Sequence, residues 1–249
     1  MTIPFLIERC RSRLAGILDP AMRRGLPLQG LDAPASLQAL LADRRSLIRW
    51  GDGESIIAMG GDLPFQNNSP ELRQRMIDVL RNTQTMDYHF ALPWRYLVES
   101  IDGDTTGTWR HTRYVINRYY PMNITCLDAH LFRNQRKEGI DRLPDNQVER
   151  LWTRFSRVIV VAGKNEFLAR FRQDYPRQEC LTVTVPVRHA WAEYPSIARQ
   201  IRELIGDQAK NTCLLAACGP CAKILVAEFA PTLTCYDIGH YLAHRYAKD

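Results

Sequence analysis

From about residue 37 onward, short runs of apolar residues alternate with longer stretches in which apolar residues recur every three or four positions. The short runs are typical of buried β-strands, and the longer stretches are typical of amphipathic helices. The predicted strands are 46–50, 88–93, 123–129, 157–163, 180–186, 212–218 and 232–238. The predicted helices are 71–80, 108–120, 146–152, 165–173, 194–205 and 220–230.

Regular alternation of strands and helices predicts an α/β fold, a Rossmann-like and mostly parallel sheet with helices on both faces. Right-handed crossovers would place every strand-to-helix turn along one edge of that sheet. Open sheets of this kind bind ligands at that edge. We expect residues 36–249 to form one domain built on this sheet and residues 1–35 to form a separate N-terminal segment.

The N-terminal segment has a pattern of its own. Phe5, Leu6, Ile7, Leu14, Ile17 and Leu18 are interleaved with Arg9, Arg11 and Arg13, which predicts a short basic amphipathic helix. Residues 3–24 could therefore contact an anionic membrane surface. The simpler alternative is a terminal helix that packs on the domain and exposes a solvated basic face.

Composition narrows the choice of partners and compartment. The net charge is +6 and the isoelectric point is about 9.0, which suits phosphate-rich ligands. The basic residues are dispersed and lack interleaved aromatic residues, so nucleic acid is not an expected partner. Seven cysteines, several of them inside apolar runs, show no secreted disulfide pattern. Without a membrane-spanning run or a leader-like start, the expected location is the cytoplasm, with the inner face of the membrane as an option.

Two carboxylates follow the first predicted strand in the sequence Arg49-Trp50-Gly51-Asp52-Gly53-Glu54. In an extended segment, Asp52 and Glu54 would point to the same side, and the intervening glycine permits a sharp turn. A divalent cation such as Mn²⁺ or Mg²⁺ takes carboxylate oxygens together with phosphates of a substrate. We therefore interpret Asp52 and Glu54 as candidate metal ligands and Arg49 as a candidate phosphate contact; the alternative is a solvated acidic turn.

Two further turns carry candidate phosphate-binding groups. Gly163-Lys164-Asn165 joins an apolar strand to a helix, where backbone N–H groups attract phosphate and Lys164 adds charge. Gly219 and Pro220 form a similar turn inside Cys218-Gly219-Pro220-Cys221, which also has the spacing of a redox motif. Only 28 residues follow Cys221, too few for most of a thioredoxin-like sheet, so the phosphate interpretation is preferred.

Other candidate residues stand near the predicted edge. His240 ends Asp237-Ile238-Gly239-His240 after the last strand and could complete a metal site with Asp52 and Glu54, or orient a phosphate. Asp237 could act as a base or contact a ribose. Arg133 is a candidate diphosphate contact, and Gln66, beside Phe65, could read the edge of a base.

The combination of Arg49 to Glu54, Phe65-Gln66, the Gly163 and Gly219 turns and Asp237 to His240 resembles the bacterial GT-D glycosyltransferases, once catalogued as a domain of unknown function. The resemblance covers about residues 36–242. It implies a Rossmann-like fold of its own class, a UDP-sugar donor and a divalent cation such as manganese, with Asp52 and Glu54 as the D-x-E motif. The chain departs from the family pattern at Asn165–Leu168, at Cys221 and after His240, and these departures bear on the acceptor and on the donor sugar.

The function predicted from the sequence is transfer of a sugar from a UDP-sugar or related donor to a glycan, glycolipid or glycoprotein. Asp52, Glu54, Asp237 and His240 are the predicted catalytic residues. Predicted donor contacts are Arg49, Gly51, Gly53, Gln66, Arg133, Gly163, Lys164, Asn165, Gly219 and Pro220. The alternatives are a metal-dependent phosphoryl or nucleotidyl transferase and, less favoured, a Cys-x-x-Cys redox protein.

Overall fold

The described part of the chain, in a computed structural model, comprises residues 2–84, 87–99, 108–133 and 143–246. Seven parallel strands form one sheet in the order β3-β2-β1-β7-β6-β4-β5. The prediction of a mostly parallel α/β sheet is confirmed. The strands are β1 Ser46–Arg49, β2 Tyr88–Leu92, β3 Leu127–Asp128, β4 Arg157–Ala162, β5 Glu179–Thr184, β6 Thr212–Ala217 and β7 Thr234–Asp237.

Two hydrophobic cores, one on each face of the sheet, explain why the strand sequences are almost wholly apolar. Along β4, Ile159 and Val161 belong to one core, whereas Val158 and Val160 belong to the other. Successive side chains of a strand point to opposite faces, so a strand covered on both faces needs apolar residues throughout. Helices therefore cover both faces, as predicted.

The helices agree with the predicted ones in most places. The segment 146–152 forms two short helices instead of one, and four helices, at 33–43, 52–58, 94–98 and 241–246, were not predicted. The helices are α1 Ile3–Leu18, α2 Pro20–Arg24, α3 Ala33–Asp43, α4 Asp52–Ala58, α5 Pro70–Arg81, α6 Trp94–Val98, α7 Thr108–Tyr119, α8 Asp145–Val148, α9 Arg150–Thr153, α10 Asn165–Asp174, α11 Tyr194–Ile205, α12 Pro220–Phe229 and α13 Tyr241–Tyr246.

The N-terminal segment is joined to the sheet by backbone hydrogen bonds. Leu31 N–H donates to the Cys126 carbonyl and Cys126 N–H donates to the Gln29 carbonyl, each at 2.9 Å. The boundary predicted at residue 35 falls inside α3, which Asp32 caps. No helix in the described ranges has both the length and the apolar character needed to cross a membrane.

Candidate donor-binding site

The carboxyl end of each strand in the sheet opens onto one cavity of about 540 Å³. This is the edge at which open α/β sheets bind their ligands, so the position predicted from the sequence and the position of the cavity coincide. The strand-end residues in its wall are Arg49 and Trp50, Pro93, Ala129 and His130, Ala162 and Gly163, Val185 and Pro186, Ala217 and Cys218, and Gly239.

Most of the predicted site residues share this cavity. Two do not line it: Asn165 accepts a hydrogen bond from Thr184 Oγ1 at 2.7 Å, and Asp237 is wholly buried below the cavity. The lining residues among the predicted set are Arg49, Gly51, Asp52, Gly53, Glu54, Gln66, Arg133, Gly163, Lys164, Gly219, Pro220 and His240.

The two acidic residues of the D-x-E motif have different surroundings. An extended segment is expected from the sequence, but Asp52 is the first residue of α4 and Glu54 the third. Residues two apart in a helix are rotated by about 200°, so the two side chains diverge. Glu54 Oε2 accepts the Gly51 N–H at 2.9 Å, which closes the first turn of the helix, while Asp52 stays exposed. The assumption that both carboxylates point the same way is therefore wrong.

Lys223 of α12, which is not among the residues predicted from the sequence, lies between the fully buried carboxylate of Asp237 and the partly buried carboxylate of Glu54. Its Nζ is 2.7 Å from Glu54 Oε1 and 3.1 Å from Asp237 Oδ2. Lys223 is only 5% exposed and Asp237 is 0% exposed. A cation at this depth requires such partners, because an unpaired buried charge is strongly unfavourable. The available sequence signal was a lone lysine within the otherwise apolar start of a helix.

Pairing keeps both members of the Glu54–Lys223 contact ionised. Burial opposes the charged form of Glu54, but the Lys223 ammonium and hydrogen bonds to the carboxylate outweigh it and hold the Glu54 pKa below its usual value. Burial likewise opposes the charged form of Lys223, but Asp237 and Glu54 raise its pKa above the usual value. The base of the cavity therefore carries a fixed ammonium group at neutral pH.

Arg49 adds a second cation at the end of β1. Its Nη1 donates to the Ala129 carbonyl at 3.1 Å, and its guanidinium lies 5.6 Å from the centre of the Phe132 ring. Its Nε is buried and has no hydrogen-bond partner among the described residues. Burial lowers the pKa of the guanidinium, and Asp237 offsets part of that effect. A buried guanidinium with an unused donor is suited to bind an anion.

Gly239 keeps the space that Arg49 occupies. Its φ is +52°, and a Cβ atom at this position would lie 1.9 Å from Arg49 Nη2. Gly239→Ala should therefore displace the guanidinium and strain the backbone, at a cost of about 1–3 kcal/mol in folding stability. Donor affinity, measured by calorimetry, should fall about tenfold or more. Gly206→Ala, which has φ +48° and open space around its Cβ, is the matched control and should lose stability without losing affinity.

His240 lies at the cavity wall after β7. Partial burial, together with the nearby cations Arg49, Lys223 and Arg133 and with His244, lowers its pKa below the usual value. The imidazole is therefore neutral at pH 7 and able to donate or accept a hydrogen bond or to ligate a metal. Among the residues with described positions, however, no group of three or more His, Cys, Asp or Glu side chains could hold a metal ion. The predicted set Asp52, Glu54 and His240 does not form such a group.

Gln66 lines the cavity, but both the oxygen and the nitrogen of its side-chain amide form hydrogen bonds with backbone groups of the protein. Oε1 accepts the Trp191 N–H at 3.2 Å and Nε2 donates to the Asn67 carbonyl at 2.8 Å. Its neighbour Phe65 is 40% exposed and also lines the cavity. Gln66 thus joins two loops and holds Phe65 in position. Base contact by Gln66 remains a prediction.

Trp109, at the start of α7, lies at the cavity wall. Its indole stacks on the Tyr96 ring, with centroids 4.4 Å apart and an interplanar angle of 7°. The sequence predicts a helix over the whole segment 108–120, but Trp109 is not among the predicted site residues. Periodicity identified the helix but not which of its aromatic residues faces the cavity.

The Cys218 and Cys221 thiols are buried and free. A hydrogen bond with Cys221, followed by burial, raises the pKa of the Cys218 thiol well above its usual value. Thiols that carry out disulfide exchange have lowered pKa values because the thiolate is the reactive form. These properties argue against the redox alternative.

Comparison with known proteins identifies the fold and the family. The model of the family "Glycosyltransferase GT-D fold" matches residues 47–246. A curated relative, the "Probable glycosyl transferase Gly" of Streptococcus gordonii, is 24% identical over 238 residues, covering 90% of this chain. The chain spans 33% of the length of that relative.

Solved structures agree. "A New Glycosyltransferase (DUF1792) from Streptococcus sanguinis" superposes with a TM-score of 0.69 and 21% identity, covering 88% of this chain and 83% of that chain. The structure described as "The highly conserved domain of unknown function 1792 has a distinct glycosyltransferase fold" gives a TM-score of 0.67 and 20% identity, covering 90% of this chain and 83% of that chain. Because the family model covers most of the sheet and every strand-end turn of the cavity, this chain belongs to the family of glycosyltransferases with the GT-D fold.

Proposed function

We propose that the protein transfers a sugar from a nucleoside diphosphate sugar, with UDP-sugars as the first donor class, to a hydroxyl of a glycan, glycolipid or glycoprotein. The observation that carries this proposal is the convergence of Arg49, Arg133, Lys164 and Lys223 on one cavity at the carboxyl edge of the sheet. A diphosphate is the part of the donor that such a cluster of cations would bind.

Two helix starts support the same assignment. Lys164 is the residue before α10 and Gly219 the residue before α12, and both line the cavity. In neither helix does a side chain cap the N-terminus. Free N–H groups at a helix N-terminus attract phosphate. Together with the buried Lys223 ammonium, they provide neutral and charged donors for the two phosphates.

The nucleoside half of a donor requires an apolar surface. Phe65 and Val187, which are 40% and 65% exposed, line the cavity, and the Phe65 ring approaches Gly219. Exposed large apolar side chains at a cavity wall are suited to stack against a base or ribose. We therefore place the nucleoside at this side of the cavity, with the diphosphate beside Arg49 and Lys223.

A divalent cation fits at Asp52 and less well at Glu54. Asp52 is exposed in the cavity and makes no hydrogen bond or ion pair with another described residue, whereas both oxygens of Glu54 have partners. Hard cations are commonly held by one or two carboxylates together with substrate phosphates. Asp52 is therefore the proposed protein ligand for Mn²⁺ or Mg²⁺, with neutral His240 as a second candidate. The cation, when bound, would neutralise charge on the diphosphate.

The chain's own residues act on the leaving group in this mechanism. An acceptor hydroxyl attacks the anomeric carbon, a new C–O bond forms, and the bond to the diphosphate breaks. The electron pair of the broken bond stays on the nucleoside diphosphate, where Arg49 and Lys223 stabilise the added charge. The hydroxyl proton passes to a carboxylate, for which exposed Asp52 is available, or to the leaving phosphate.

Product analysis tests the reaction class. The purified protein is incubated with UDP-sugars and Mn²⁺, with and without a glycan-containing extract, and the nucleotides are separated by chromatography. Slow UDP release that the extract accelerates is expected. Release of UMP or inorganic phosphate would instead indicate a nucleotidyl or phosphoryl transferase, and UDP binding without turnover in both conditions would indicate a non-catalytic binding protein.

A further inference from the structure

Helix α1 packs on the domain with its polar side inward. Glu8 is 6% exposed and Ser12 is 0% exposed. Tyr114 OH donates to Glu8 Oε2 at 2.7 Å, and Ser12 Oγ lies 3.1 Å from His111 Nδ1, so both polar residues face α7. Arg11, Arg73 and Arg118 surround the Glu8 carboxylate at 2.9–3.6 Å. These polar contacts, together with Phe5 and Ala15, which pack against the core, fix the inner side of this helix.

The opposite side of α1 is a continuous apolar surface. Helical spacing of three and four residues places its large apolar side chains in one stripe. In the described ranges, eight large hydrophobic side chains are exposed, and six of them belong to this helix. The other two, Phe65 and Val187, line the donor cavity. The α1 stripe consists of Ile3, Leu6, Ile7, Leu14, Ile17 and Leu18, which are 45–76% exposed.

Apart from Asp19, the C-cap residue of α1, the charges that border the α1 stripe are positive. Arg11 and Arg13 on α1 and Arg23 and Arg24 on α2 are exposed. Glu8 is the one acidic residue between Thr2 and Leu18 in the sequence, and it faces inward. An apolar stripe with arginines along its margins is the pattern of helices that lie in the interface of an anionic bilayer.

We propose that the α1 stripe is a docking surface for an anionic lipid bilayer, with the apolar side chains inserted at the headgroup level and the arginines on lipid phosphates. A second copy of α1 would offer apolar contact but, apart from Asp19, which already accepts a hydrogen bond from Asn117, no acidic group for the exposed arginines. Charge complementarity therefore favours the bilayer. This inference goes beyond the proposed sugar transfer and does not depend on it.

The stripe lies one helix away from the donor cavity. A Cβ atom added at Gly16, near the C-terminal end of α1, would lie 3.3 Å from the Arg110 side chain, and Trp109, the residue before Arg110, lines the cavity. Docking through α1 would therefore hold the cavity close to the lipid surface.

Vesicle sedimentation tests the proposal with the full chain. Wild-type protein should bind vesicles of phosphatidylglycerol and phosphatidylcholine, bind weakly to phosphatidylcholine alone, and lose affinity as salt is raised. Leu14→Gln with Ile17→Gln should lower the partition coefficient about tenfold or more, because both side chains would insert. Their exposure, 57% and 69%, means that thermal stability and UDP release in solution should not change.

Charge-matched variants separate the contribution of the arginines beside the α1 stripe to vesicle binding from the contribution of net charge. Arg13→Gln with Arg24→Gln should weaken binding severalfold, whereas Arg177→Gln with Arg199→Gln, exposed positions on other elements, should leave it unchanged. Equal binding to both vesicle types, or no loss in the apolar variant, overturns the proposal. Concentration-dependent dimers in ultracentrifugation that the apolar variant abolishes, without vesicle binding, would assign the stripe to a second copy and also overturn it.

Discussion

Replacing Lys223 with methionine should lower the free energy of unfolding by about 3–5 kcal/mol, because it leaves the buried carboxylate of Asp237 and the partly buried carboxylate of Glu54 without their cation. Donor-dependent UDP release should fall by about two orders of magnitude or more, since a charge fixed beside the diphosphate is lost. Chemical denaturation measures the first effect and the nucleotide assay the second. Lys210→Met, at an exposed position away from the cavity, is the matched control and should change neither.

A triple variant distinguishes loss of folding from loss of chemistry. Lys223→Met combined with Glu54→Gln and Asp237→Asn removes the buried ammonium and both carboxylate charges. Stability should then recover in part, because the two carboxylate charges that lost Lys223 are removed as well, although Arg49 loses Asp237 as a counter-charge, while activity should stay low. If stability recovers and activity returns with it, Lys223 serves only to balance its neighbours and does not act on the donor.

The pH dependence of stability gives an independent readout of the same contact. The Glu54 pKa is held below its usual value, so the stability from its ionised form is fully present above about pH 4.3 and is lost as pH falls through the lowered pKa. In Lys223→Met that stabilisation is absent. The difference in melting temperature between wild type and variant should therefore be large at pH 7 and shrink as the pH is lowered below 4.

Sequence and structure agree most closely where a residue's local pattern determines its environment. The apolar runs of β4 and β6 predicted buried parallel strands because both faces of the sheet are covered, and the turn after Arg49 was placed at the ligand edge by topology alone. The short β3 was predicted too long, since only Leu127 and Asp128 pair with β2.

The features that the sequence did not disclose depend on distant contacts. Lys223 is separated from Glu54 by 169 positions, and no local pattern relates the two. The glycines around Asp52 indicated a turn, and the helix that begins there is closed by a Glu54 carboxylate that Lys223 also binds. The amphipathic pattern of α1 was evident, but the inward direction of its polar side is set by His111 and Tyr114 on α7.

The divergence of the two motif carboxylates predicts that their removal has different consequences. Asp52→Asn should reduce transfer about 100-fold or more, because an exposed cavity carboxylate that makes no hydrogen bond or ion pair with the described residues is available to a cation or to the acceptor. Its effect on unfolding should stay within about 0.5 kcal/mol, the range of a lost charge at a helix start. Asp207→Asn, exposed in the turn before β6, is the control and should change neither quantity.

Glu54→Gln should behave in the opposite way. The amide oxygen of the glutamine can still accept the Gly51 N–H, but Lys223 loses one of its two counter-charges. The free energy of unfolding should therefore fall by about 1–3 kcal/mol. Titration of UDP release with Mn²⁺ then separates the roles: the half-saturating concentration should rise in Asp52→Asn and stay constant in Glu54→Gln. A shift in Glu54→Gln alone would place the cation at the buried carboxylate instead. In that case the Lys223 ammonium would have to move on metal binding, and the fixed cation proposed for the cavity base would be wrong.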